Sequence, residues 1–303
     1  MPTFNIEDAA FAGVGLLGRR PMAALIWAVL WAILIALVTI PFVGILANFL
    51  TLFVRFHGEP DPSLIAQQFP GIFAFIILAG LCSLVLGAVI SCAVYRAVLT
   101  PENSAFAYLR MGEQEIQVLI VNFVKALTIG AASFGMAMVL VAVEVASSSG
   151  HMGGPLDLVG RLIIQCVVFW LQLRLSMAGP MTFAERRFRL FESWTLTRGI
   201  VLRLLAVGVI LFFIGLVVYL ALATLGIAAG LAIWNSAPRP ADLQLLLSQS
   251  PNEWMGPLAP FIALSVMLVI IGGSVLTPII IAPWAYIYRE HALSSEGAAA
   301  TFA

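Results

Sequence analysis

The sequence predicts an all-α polytopic membrane protein: about six transmembrane helices, with short amphipathic interfacial helices preceding the odd-numbered spans. Three observations predict it. Only 10% of the 303 residues are charged and the mean hydropathy is +1.06. A soluble domain carries about 25% charged residues, so lipid must act as the solvent for much of this surface. Six apolar stretches meet the roughly 20 residues that a helix needs to cross about 30 Å of hydrocarbon. Their apolarity is continuous, whereas barrel strands would alternate over about ten residues.

The segments run roughly over 22–50, 71–98, 119–147, 159–184, 200–234 and 258–288. Several exceed the minimum, which implies tilt or helix continuing beyond the bilayer. The first is too long for the apolar core of a cleavable signal, and no small-residue cleavage site follows it, so it is expected to be retained. The whole chain, 1–303, reads as one integral membrane domain.

Arginine sets the orientation. Arg19, Arg20, Arg96, Arg110, Arg186, Arg187, Arg189, Arg198 and Arg289 fall at one set of span ends, against Arg55 and Arg239, with Arg161 at a span edge. The positive-inside rule then puts both termini in the cytoplasm and the protein in a bacterial inner membrane. Trp194 and Trp284 fall near the inner face, and Trp234 and Trp254 flank the third outer loop. That is the depth an amphipathic indole prefers. Within that loop the leucines of ADLQLLLSQS (241–250) suggest a short helix on the outer interface. Another outer loop, SSSGHMGGP, reads as a flexible turn.

The span entries and exits repeat a pattern. Asp8 to Phe11, Asn103 to Phe106 and Glu192 to Trp194 each lead through a Gly into an odd-numbered span. The even spans end on Tyr95, Phe183 and Tyr286 in similar settings. This suggests three repeats, 1–98, 99–184 and 185–303, of a short interfacial helix followed by a helical hairpin. Residues 185–198 are expected to form such a helix, with Phe188, Phe191 and Trp194 on one side. In this elbow Trp194 and Arg198 mark the interface, and Gly199 permits the sharp turn into span five.

Phe183-Ala-Glu185 through Ser193-Trp-Thr-Leu-Thr-Arg-Gly199, then a long apolar helix, resembles the membrane domain attached to some bacterial glycerophosphodiester phosphodiesterases. It also resembles a broader group of uncharacterised six-helix inner-membrane proteins. The resemblance is best over 180–230 and is echoed near 95–125. It implies the architecture, but not the chemistry. The catalytic part of those phosphodiesterases is a separate soluble barrel with His and paired carboxylates, and no stretch here supplies it.

Polar residues inside spans are functional hypotheses by default. Span three carries Asn122, Lys125, Ser133 and Glu144 on one helical face, expected to point into the bundle. Span four carries Arg161, Gln165, Gln172 and Ser176 on one stripe, suited to interhelical hydrogen bonds. Glu144 and Arg161 form a candidate structural pair. Arg174 lies opposite the stripe, placed to reach a carbonyl or carboxylate of the elbow, or an anionic headgroup. Arg174, Lys125, Asn122, Gln165 and Gln172 are therefore the candidate lipid- or substrate-contacting residues.

No catalytic, cofactor or metal motif stands out. GxSxG, HExxH and phosphate-loop patterns are missing, and no Cys/His spacing suits a metal. Cys82, Cys92 and Cys166 read as buried, inert thiols. The IIGGS run at 270–274 and GLCSLVLG of span two read as close helix packing, and Pro278 and Pro283 as kinks in span six. A net charge of zero gives no field for nucleic acid. Two functions suit these features. The first is a non-catalytic inner-membrane protein acting through other membrane proteins or envelope lipids. The second is a transporter or binder of a lipid or other amphiphile, with anionic lipid among the candidate partners.

Overall fold

A computed structural model describes residues 4–55, 62–102, 105–146, 155–235 and 251–293. Among these residues the chain is helical, without strands. The helices are α1 (Ile6–Arg19), α2 (Pro21–Arg55), α3 (Pro62–Leu99), α4 (Glu113–Ala146), α5 (Pro155–Arg174), α6 (Ala178–Glu185), α7 (Glu192–Leu196), α8 (Val201–Trp234) and α9 (Pro251–Tyr288). A 3₁₀ turn (Ala105–Tyr108) precedes α4, and a π-helical turn (Arg289–Leu293) ends α9. Six candidate spans result, each long and apolar enough to cross a membrane: Pro21–Ile45, Ala66–Leu99, Glu113–Val143, Asp157–Glu185, Val201–Trp234 and Ala259–His291. Short helical segments precede the first, third and fifth, as the sequence predicts. The candidate outer-loop helix at 241–250 and the turn at 147–154 lie outside the described residues.

Local chemistry explains the starts. At α1 the Asn5 side chain accepts from the Glu7 N–H at 3.1 Å, and Glu7 and Asp8 fill the first turn. Both features suit the positive end of a helix. At α4, Glu113 and Glu115 occupy the same position.

The fourth span departs from the expected continuous helix over 159–184. α5 stops at Arg174, residues 175–177 turn, and α6 begins at Ala178. Pro180 fits the break. It has no N–H for the Ser176 carbonyl, and its ring would collide with that carbonyl in an unbroken helix. In the first turn of α6 neither problem arises. Pro278 and Pro283, by contrast, leave α9 continuously helical.

The elbow also differs from expectation. Helix does not extend over 185–198. α6 closes on Arg186 in the left-handed conformation (φ 54°), and only the five residues of α7 are helical before α8. Gly199 takes φ 92°, the left-handed turn assigned to it.

The chain divides into two compact units. One comprises 20–87 and 213–277. Here glycine allows close approach, as IIGGS predicts: a Cβ on Gly272 would meet Leu222 Cδ1 at 3.1 Å, and one on Gly273 would meet the Trp31 ring at 2.7 Å. The glycines of span two do not behave so, since Gly80 and Gly87 have open space around them.

The other unit comprises 1–19, 88–212 and 278–303. Its core gathers Ala88, Cys92 and Tyr95 of α3, Val118 of α4, Phe183 of α6 and Ala285 of α9. Tyr95 and Phe183 face each other with ring centroids 5.8 Å apart. A second cluster joins Val121, Leu175, Ala178 and Leu190. The ends of the three even-numbered spans thus meet in one place, beneath α1, whose Gly13 lies against the backbone of Pro278 and Ile279.

Candidate functional site

The convergence of α3, α4, α6 and α9 brings polar groups together inside the second unit. Arg96, buried near the end of α3, pairs with Glu115 in the first turn of α4. Its guanidinium also donates to the Tyr108 carbonyl at 3.0 Å and to Gln114 Oε1 at 3.3 Å, and lies over the Phe183 ring at 5.4 Å. Gln114 Nε2 donates in turn to the Phe183 carbonyl at 3.3 Å. Arg289 reaches the Val98 carbonyl at 3.2 Å, and Tyr288 donates to Glu185 at 3.4 Å. These links tie the span ends to one another and to the 3₁₀ turn before α4, so a burial cost is met by hydrogen bonds on several sides.

Beside this network lie two cavities. One, of about 310 Å³, is lined by Arg96, Leu99, Thr100, Arg110, Gln114, Phe183, Ala184, Arg186 and Tyr288. The other, of about 260 Å³, shares Arg96, Arg110, Gln114 and Arg186 and adds Glu113 and Glu115.

The elbow is closed by its own bonds. The Arg189 N–H donates to Thr182 Oγ1 at 3.1 Å, while its guanidinium spans Glu185 at 2.9 Å and Glu192 at 3.0 Å. A hydrogen bond from its own backbone and then the Arg189 guanidinium hold the Glu192 carboxyl below the ordinary carboxylate value. Ser193 Oγ donates to the Arg174 carbonyl at 2.8 Å. Arg174 itself sits between two indoles, 5.5 Å from the Trp170 centroid and 5.1 Å from that of Trp194. It reaches the Trp194 carbonyl and Thr197 Oγ1, both at 3.5 Å, and its buried Nε has no partner among the described residues. Of the destinations open to Arg174, the structure shows the elbow carbonyl.

The other candidates are scattered. Asn122 and Lys125 are half-buried on α4, and Ser133 bonds its own helix at the Ile129 carbonyl. Gln165 and Gln172 are exposed on α5, and neither makes a hydrogen bond among the described residues. Arg161 pairs with Asp157, one turn earlier on α5; the side chain of Glu144 lies outside the described residues. Trp194, Arg198 and Gly199 are exposed at the elbow. Cys92 is buried as expected, whereas Cys166 is exposed on α5.

Sequence reasoning missed Arg96, Glu115 and Gln114 as a unit. Arg96 counted only as an orientation charge, and the 19 residues to Glu115 are no helical spacing. A signal was present: two acidic residues and two glutamines crowd the start of α4, opposite an arginine at the end of the preceding span.

By fold this is a multi-span helical chain of the kind that fits an integral membrane protein. No family model matches the chain, and neither a curated protein nor a solved structure matches it.

Proposed function

We propose that the protein is a non-catalytic integral inner-membrane protein, with both termini cytoplasmic, that acts through association with other membrane proteins or envelope lipids. Gln165 and Gln172 carry this reading. They lie seven residues apart on one stripe of a candidate span, exposed and without hydrogen-bond partners among the described residues. An amide in hydrocarbon calls for a partner, and glutamines bridging two membrane helices contribute about 0.6–2 kcal/mol each. A second transmembrane helix, from another copy or another protein, supplies that partner most directly. The resemblance of the 183–199 segment to a membrane domain accompanying a separate catalytic domain supports an accessory role.

Purification in a mild detergent tests the reading. The parent protein is expected to elute with associated chains, and Gln165→Leu/Gln172→Leu to lose them while remaining folded. A stably monomeric parent with no associated chain would overturn it. The alternative function, binding or transport of a lipid or other amphiphile, draws support from a different observation: two arginines, unpaired among the described residues, beside a cavity at the span ends.

A further inference from the structure

We propose that the arginine-lined cavity at the ends of α3 and α6 is a binding site for a phosphate group, with Arg110 and Arg186 as its ligands. The larger cavity bears three arginines and no carboxylate. Arg96 is committed to Glu115 and forms a fixed wall. Arg110 and Arg186 have neither a hydrogen bond nor an ion pair among the described residues. Arg110 and Arg186 line this cavity together, so one anion there can accept from both, while Glu113 and Glu115 line the adjoining cavity. The planar, many-donor geometry of the two guanidinium groups suits the oxygens of a phosphate above other anion shapes.

Backbone conformation is an independent pointer. Among the described residues, three other than glycine take positive φ: Ala107, Tyr108 and Arg186. One of them lines the cavity and the other two lie two and three residues before Arg110, which also lines it. Tyr108 gives its carbonyl to Arg96, Ala107 and Tyr108 lead into Arg110, and Arg186 is itself a lining residue. Left-handed backbone is costly for a residue with a Cβ and persists where the surroundings enforce it, often at binding sites.

The room, about 310 Å³, equals about ten waters at roughly 30 Å³ each. It holds a phosphate together with a substituent, and Leu99 and Phe183 offer that substituent an apolar wall. The phosphate can belong to a lipid headgroup or be free in solution. The inference goes beyond the association reading and uses none of its residues, so each can fail alone.

The test uses the full chain in maltoside detergent, titrated with dihexanoyl phosphatidylglycerol and, separately, with inorganic phosphate. Native mass spectrometry reads stoichiometry, and thermal shift reads affinity. Saturable binding of at least one probe is expected. Lipid binding that excess phosphate does not displace identifies a headgroup; phosphate binding alone identifies the free anion; mutual displacement identifies the shared group. Arg110→Gln and Arg186→Gln should each weaken binding by about tenfold or more. Arg187→Gln, exposed and outside the cavity, should leave binding unchanged. If Arg186→Gln disturbs the left-handed turn, Arg110→Gln still decides, since Arg110 is exposed and makes no hydrogen bond or ion pair among the described residues. Absence of saturable binding by the folded parent, full retention in Arg110→Gln/Arg186→Gln, or equal loss in Arg187→Gln would overturn the proposal.

Discussion

Arg96 shows how much a single side chain can organise here. It is 5% exposed and has an acid, an amide oxygen, a carbonyl and an aromatic face around it. Replacing one member of such a buried pair leaves an uncompensated charge, which costs about 3–5 kcal/mol. Arg96→Met is therefore expected to lower the unfolding midpoint strongly in detergent. Arg96→Met/Glu115→Leu should recover much of that loss, because no buried charge remains. Equal destabilisation by the single and double variants, read by scanning fluorimetry, would refute this assignment of the cost. None of it was legible from residue spacing, because the pair depends on how the end of α3 meets the start of α4. Gly199 was legible, since a turn between two helices calls for the backbone freedom that glycine supplies. Arg174 was legible in part. Its isolation from acids in the sequence pointed to a carbonyl or headgroup, and the structure gives it a carbonyl and two indoles.

At the scale of elements, the odd-span entries behave differently from one another despite their shared pattern. α1 is a full helix of 14 residues, the entry to α4 is one 3₁₀ turn, and α7 has five residues. Apolar patterning places these segments but does not set their length. Proline contributes, as the break at 175–177 beside Pro180 illustrates. What α1 packs against was likewise invisible in sequence. Its Gly13 lies so close to α9 that a Cβ would fall 2.5 Å from the Pro278 carbonyl oxygen. A rigid backbone cannot yield as a side chain end would, so Gly13→Ala should lift α1 from α9 while the spans persist. Ala9, one turn before Gly13 on α1, is fully buried and reports this. With the native cysteines replaced, Ala9→Cys should react slowly with a maleimide in the parent background and rapidly beside Gly13→Ala. Unchanged labelling would show that α9 moves to accommodate the methyl group.

For the whole molecule, solvent is the governing fact. The most apolar window of each span is at most 22% buried within the chain, and in Glu113–Val143 none of it is. In water such surface would drive aggregation; in a bilayer it is the surface that lipid wets. Composition alone carried this conclusion, because a chain with 10% charged residues has few ways to cover itself. The proposed orientation follows from where the remaining charge lies. If the six candidate spans among the described residues all cross, both termini share one side with nine arginines, against two or three opposite. Translocating loops rich in arginine is disfavoured, so that side should be cytoplasmic. A green fluorescent protein fused after Ala303 is expected to fluoresce, while alkaline phosphatase at the same point stays inactive. Phosphatase inserted within residues 147–154 should show the opposite, being exported and active. An active phosphatase after Ala303 would invert the topology, and would then place the Arg110 and Arg186 cavity on the outer side, where the outer leaflet would present its phosphate.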